Sequence, residues 1–255
     1  MQRHLWLLFV SFILSCEFQS DFTVVKLYYD DAQTMLKEQR NIYRIGDSLE
    51  GKSKLYFKNG ILKSEGSIKG KGDKFIQEGD WKFYHDTGEL LSQGTFKNDQ
   101  KHGYWEQYHK NGKIASKGNY TDGKMNGDWV YYYENGNKEQ ELHYVNNISN
   151  GLMKNYYENG QLMNKGSVLN GKKHGFMTTY WDNGTIANQN NFEHGEMKGV
   201  YKDFHKNGKL KTDGVWNVDK PVGEMKIYTD KGELQAIYVI DSLGNITSEK
   251  ILIKK

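Results

Sequence analysis

The stretches GDWVYYYENG at 127–136 and GLMKNYYENG at 151–160 share one frame: a glycine, a bulky residue two positions on, an aromatic five on, and Asn-Gly at the end. Reading outward, the opening glycine recurs at Gly51, Gly79, Gly103, Gly127, Gly151, Gly175, Gly199 and Gly223. A second follows nine residues after each, from Gly60 and Gly88 to Gly208 and Gly232. From Gly79 onward the period is 24 residues. A fixed period of this length marks a repeat architecture, here one small unit copied eight times.

Asn-Gly between two strand-like runs is a strong hairpin signal, because both residues tolerate the positive φ of a type I′ turn. Each repeat therefore reads as a β-hairpin with a two-residue loop, and the Asn-, Asp-, Gly- and Lys-rich stretches at 97–102 and 170–174 read as connections. The expectation is an all-β protein: an elongated, single-layer antiparallel β-meander of about eight 24-residue hairpins, twisted or curved.

Counting outward from Asn-Gly pairs Ser53 with Gly66, Trp81 with Gly94, Trp105 with Gly118, Met153 with Gly166 and Tyr201 with Gly214. A ring over a facing glycine covers backbone that the glycine leaves bare. Trp129, Met177 and Met225 instead face Leu142, Asn190 and Tyr238, so the sheet is expected to splay or to twist differently at those three repeats. The same count puts Leu62, Leu90, Ile114, Leu162, Ile186, Leu210 and Leu234 on this apolar face. A third column joins them there: Ile68, Phe96, Tyr120, Tyr144, Val168, Phe192, Trp216 and Ile240.

Alternation sends the aromatic five after each first glycine to the other face: Tyr56, Tyr84, Tyr108, Tyr132, Tyr156, Tyr180, Phe204 and Tyr228. This ladder is the candidate binding surface, since Tyr offers large contact area at low entropic cost. It also stiffens a sheet by strand preference alone.

Residues 1–15, MQRHLWLLFVSFILS, place Arg3 and His4 before a short apolar run and read as a lipoprotein signal peptide. Ile13, Leu14, Ser15 and Cys16 resemble a bacterial lipobox, making Cys16 the expected lipid attachment point and 16–21 a tether. The expected address is the bacterial cell envelope, lipid-anchored in a membrane, with the outer membrane favoured. Residues 22–50 read as a degenerate N-terminal cap hairpin, 51–240 as the eight repeats and 241–255 as a C-terminal cap strand. Four extra residues in the first repeat, within 69–78, are assigned to a longer loop.

Composition excludes several functions. At 36% hydrophobic the chain cannot fill a thick core, and with a net charge of +3 and mixed signs in every repeat it has no basic stripe for nucleic acid. Catalysis needs unlike residues converging on a point, whereas repeats spread them in columns. His85, His109 and His205 share one phase, and His102 and His174 another, as turn decoration. No P-loop, nucleophile elbow or cysteine pair is present, so no enzyme, cofactor or metal is expected.

The phases Gly-x-Trp-x-x-Tyr, Glu-Asn-Gly-x-Leu and Gly-x-Tyr resemble the bacterial variant of the MORN repeat from Gly51 to about Ile240. The resemblance implies a non-enzymatic β-meander protein. Many such proteins carry the label of a YwqK-type antitoxin, and eukaryotic relatives of the repeat are scaffolds and membrane-associated modules. An exported chain lipidated at Cys16 does not meet a cytoplasmic toxin. The leading expectation is therefore an envelope protein whose sheet binds a protein, peptide or glycan, and the alternative is an antitoxin-like inhibitor.

Overall fold

The computed structural model describes residues 22–30, 32–72 and 74–252; the signal segment and Cys16 lie outside the described residues. The described chain is all β, without a helix, and divides into two compact units, one ending at Lys124 and one beginning at Met125.

The first unit contains β1 (Phe22–Tyr28), β2 (Leu36–Ile45), β3 (Ser48–Tyr56), β4 (Leu62–Lys71), β5 (Lys74–Tyr84), β6 (Leu90–Lys97), β7 (Gln100–Tyr108) and β8 (Ile114–Thr121). Each pairs antiparallel with the next. The second contains β9 (Lys124–Tyr132), β10 (Lys138–Val145), β11 (Ile148–Tyr156), β12 (Leu162–Leu169), β13 (Lys172–Tyr180), β14 (Ile186–Glu193), β15 (Glu196–Phe204), β16 (Leu210–Asn217), β17 (Lys220–Tyr228), β18 (Leu234–Ile240) and β19 (Ile246–Ile251). The same nearest-neighbour antiparallel pairing runs through it. Each unit is thus a meander of hairpins, as the repeat predicts.

The counted register holds within the repeats: Trp81 lies opposite Gly94, Met153 opposite Gly166 and Met225 opposite Tyr238. The loop that sets it differs from expectation. The amide of Gly136 donates to the Tyr133 carbonyl and that of Tyr133 to the Asn137 carbonyl, both at 2.9 Å, closing a three-residue loop in which Gly136 alone takes positive φ. A one-residue shift follows at once; Tyr156 faces Leu162 while Asn155 faces Asn164. This bulge restores the count further out. It also corrects the placing of one column: Leu62, Leu90, Ile114, Leu162, Ile186, Leu210 and Leu234 pair directly with ladder residues and so share the ladder's face, not the apolar one.

The type I′ geometry sits instead in the connections, where Asn98 and Asp99 have φ of 51° and 62°, and Asn146 and Asn147 of 51° and 70°. The four extra residues of the first repeat make no longer loop. They lengthen β4 and β5, which meet at Lys71 and Lys74.

Ring-over-glycine packing is present but runs between repeats rather than within one. A Cβ on Gly66 would meet the Trp81 ring at 2.2 Å, and one on Gly94 the Trp105 ring at 2.3 Å. Met177 covers Gly166 in the same way. Met177 and Met225, expected to mark splayed or differently twisted repeats, are thus in place over the glycines of the repeats before them, and Met177 is buried. In the first unit Ile68, Trp81, Phe96 and Trp105 form the core, with Leu55, Phe75, Phe83 and Tyr120 against it. Trp81 Nε1 donates to the Ser67 carbonyl at 2.7 Å and Trp105 Nε1 to that of Thr95 at 3.0 Å, so neither buried indole lacks a partner. In the second unit Trp129, Leu142, Val168, Met177, Ala187, Ala236 and Ile240 are buried, with Asn190 and Thr212 among them.

Candidate functional site

The face opposite the tryptophans carries three parallel rows, each fixed by the repeat phase. The ladder forms one. All eight of its members are half-buried, so they are not the exposed aromatic plates that a free-standing platform would need. Their phenols are tied down: Tyr84 donates to Glu65 at 2.8 Å, Tyr108 to Glu106 at 2.6 Å while accepting from Gln93 at 2.7 Å, and Tyr156 donates to Glu141 at 3.1 Å. Burial first, and then the neighbouring carboxylate, pushes the Tyr84 and Tyr108 hydroxyls up to about 12. The Tyr108 and Gln93 hydrogen bonds hold Glu106 below the usual carboxylate range, and contact with Lys138 does most to lower Glu141.

Other rungs serve as acceptors through their backbone. The Tyr56 carbonyl receives Tyr29 at 2.9 Å, Tyr180 receives Tyr157 at 2.8 Å, and Phe204 receives Trp181 Nε1 at 3.2 Å. Tyr156 and Tyr228 receive Tyr133 at 2.8 Å and His205 Nε2 at 3.0 Å, and Tyr132 sits opposite Lys138. At the phase of His205, the side chains of Tyr133, Tyr157, Trp181 and His205 thus stitch successive repeats, whereas the buried Nε2 of His85 at the same phase has no partner among the described residues. A second stitch comes from the loop asparagines, whose amides reach the next repeat: Asn59 the Asp86 carbonyl at 3.0 Å, and Asn135 the Glu158 carbonyl at 2.8 Å. Among the described residues no group of three His, Cys, Asp or Glu side chains lies close enough to hold a metal ion.

The middle row holds charged and amide side chains, among them Lys54, Glu65, Lys82, Gln93, Lys154, Lys165, Lys202 and Lys226. Beyond it lies a third row, one position after each first glycine, which sequence reading passed over. In the first unit two of its cross-strand pairs are polar and bonded to each other, Lys52 with Ser67 at 2.7 Å and Asp80 with Thr95 at 2.9 Å, while the third sets the exposed Tyr104 ring opposite Asn119. The first hairpin of the second unit keeps this habit in Asp128 and His143, 2.7 Å apart. From β11 onward the row becomes largely apolar, interrupted by Ser167, Asn191 and Glu224, and its apolar members stay in solvent, with Leu152 72% exposed, Phe176 52%, Val200 45%, Val215 47% and Val239 42%. The sequence signal was available, since Leu152, Phe176 and Val200 recur at the 24-residue period.

Each unit has a groove on this face. One of about 520 Å³ lies among Lys52, Lys54, Lys82, Glu65, Asp80 and Glu106, and one of about 510 Å³ among Asp128, Val130, Glu141, His143, Leu152 and Lys154. Their linings occupy equivalent repeat phases, so the concavity is a property of the repeat.

The MORN repeat variant model matches the chain at residues 49–69, 77–98, 101–122, 125–146, 149–170 and 197–217, together about half its length. The chain belongs to the MORN repeat variant family. The stretches left unmatched between and after these follow the same MORN hairpin register, Met177 facing Asn190 and Met225 facing Tyr238. No curated protein matches the chain. Among solved structures, a porin-like protein from Bacteroides uniformis ATCC 8492 aligns over 79% of this chain and 92% of its own, at 8% identity and a TM-score of 0.18, a likeness too faint to carry an argument.

Proposed function

We propose that this MORN-repeat protein is a non-catalytic, lipid-anchored component of the bacterial cell envelope whose ladder-bearing face binds a protein, peptide or glycan partner. The observation that carries this reading is the repetition of one grooved surface in both units, with charged side chains in equivalent places. Such a surface favours extended contact over a single reacting point. The tyrosines act from behind the groove: the hydroxyls of Tyr84, Tyr108 and Tyr156 hold its carboxylates Glu65, Glu106 and Glu141 in position. Anchoring rests on the sequence at Cys16.

Two experiments test it. Cys16→Ala should move the protein from the membrane fraction to the soluble exported fraction and abolish metabolic labelling by fatty acid. A wild-type protein that is soluble in the cytoplasm would favour the antitoxin-like alternative. For binding, Tyr84→Ser with Tyr108→Ser should lower partner crosslinking while the circular dichroism of the sheet persists; unchanged crosslinking would remove the ladder from the site.

A further inference from the structure

The exposed apolar row of the second unit differs from its counterpart in the first, where Lys52 and Asp80 hold the same phase. Leu152, Phe176, Val200, Val215 and Val239 come from alternate faces of no other element; each is fixed on the ladder side by the alternation of its strand, next to a residue of the apolar face such as Met153, Met177 or Tyr201. Pairing draws them into one line: Leu152 opposite Ser167, Phe176 opposite Asn191, Val200 opposite Val215, and Glu224 opposite Val239. Beside this line runs the middle row, with Lys154 opposite Lys165, Lys202 opposite Asp213, and Lys226 opposite Ile237. Glu224 is bridged to Lys226 at 2.8 Å and Lys154 to Glu141 at 3.4 Å, while Lys165 lies over the Tyr180 ring at 5.8 Å. The surface is thus a line of five apolar side chains with Glu224 among them, flanked by Lys154, Lys165, Lys202 and Lys226 against the single acid Asp213.

Building on the binding role proposed above, we infer that this line is the docking surface for an acidic amphipathic helix of a partner protein. Three physical points select that occupant. The line crosses the strands, so a guest lying on it meets side chains only and finds no backbone edge. An extended peptide there would leave its own amides and carbonyls unpaired, whereas a helix satisfies them internally. The spacing also suits a helix: Leu152, Phe176 and Val200 present anchors about every 9.6 Å, two strand separations, and a helix presents a heptad position about every 10.5 Å. The lysine margin calls for Glu or Asp on the helix flank that faces it. A second copy of this chain is a poorer guest, because five side chains fall short of the ~800 Å² per partner of a stable interface and the basic margins would oppose each other.

The test uses the full chain and three synthetic 24-residue probes with leucines at heptad spacing: one with Glu flanks, one with Lys flanks, and a Glu-flanked one broken by two prolines. The intact Glu probe is expected to bind, and to lose about tenfold or more in affinity with Phe176→Glu or with Lys202→Glu plus Lys226→Glu. Lys97→Glu, at an exposed lysine of the first unit outside both grooves, is expected to leave binding unchanged. The lysine changes are all on the surface, and circular dichroism checks that each variant keeps its sheet. Equal binding of the Lys or the broken probe, or binding indifferent to Phe176→Glu, overturns the inference. So does capture of the chain by phosphatidylglycerol vesicles through this row in place of the probe, or a Phe176-dependent dimer in sedimentation, which would assign the row to lipid or to a second copy. Failure of the Glu probe with continued ladder-dependent crosslinking in cells overturns the helix assignment alone; loss of the crosslinking as well overturns the binding role itself.

Discussion

The two units share a register but have spent it differently. In the first, indoles lie over glycines and the row on the opposite face carries hydrogen-bonded polar pairs, Lys52 with Ser67 and Asp80 with Thr95, with Tyr104 as its one exposed ring. In the second, Met177 replaces an indole over Gly166, Asn190 enters the interior, and from Leu152 onward the row is largely apolar and open. Equivalent positions therefore carry equal geometry and unequal chemistry. The hydrogen-bond stitches at each loop keep neighbouring repeats in step, which leaves the exposed positions free to diverge without disturbing the frame.

The contrast in packing should give the largest effects. Trp105→Ala, at a fully buried ring whose indole also bonds Thr95, is expected to cost about 3–5 kcal/mol in urea unfolding monitored for the first unit. A loss under about 1 kcal/mol would mean the indole layer is not what holds that unit. Next is the glycine beneath it. Gly94→Ala should cost about 1–3 kcal/mol, because its Cβ would sit 2.3 Å from the Trp105 ring. Gly214→Ala, whose Cβ would meet Met225 at 3.4 Å, should be close to neutral. Equal losses at the two sites would erase the distinction between a tight layer and a loose one.

Smaller is the effect of the stitches. Asn183→Ala removes the 3.2 Å bond to the Lys206 carbonyl of the next repeat and should cost about 1 kcal/mol, with faster amide exchange in the two loops it joins. The smallest effect is a pH dependence. Tyr84 and Tyr108 hold their protons more tightly folded than unfolded, with folded values of about 12 against the ordinary 10. Their contribution is fully present below pH 10 and is lost as the pH rises through about 12. Replacing both by Phe should flatten the alkaline limb of a stability–pH curve; a limb unchanged in slope would mean their carboxylate contacts do not persist in solution.

Much of this was legible from the glycine spacing. The pairing of Trp81 with Gly94 and of Met153 with Gly166 follows from counting, although the loop assumed was wrong. A three-residue loop followed by a bulge and a two-residue loop without one give the same register from the fourth residue outward, so the count could not tell them apart. Only the pairs nearest the loop betray the difference, and they carried Leu62 and its equivalents to the other face. The carboxylate partners of the ladder escaped notice because Glu65 meets Tyr84 diagonally between repeats, a contact that within-hairpin counting never inspects. The covering of Gly66 by Trp81 was missed for the same reason. The apolar row was missed because it needs burial to be informative: Leu152 and Phe176 read as ordinary strand residues until they are found in solvent.

The claim that the row's chemistry, and not its geometry, decides where a partner sits can be tested by mapping a photoreactive Glu-flanked helical probe by mass spectrometry. The account predicts adducts within residues 152–239 and none on the equivalent positions Lys52, Asp80 and Thr95. Adducts concentrated on those first-unit positions, with Leu152, Phe176 and Val200 unlabelled, would contradict it.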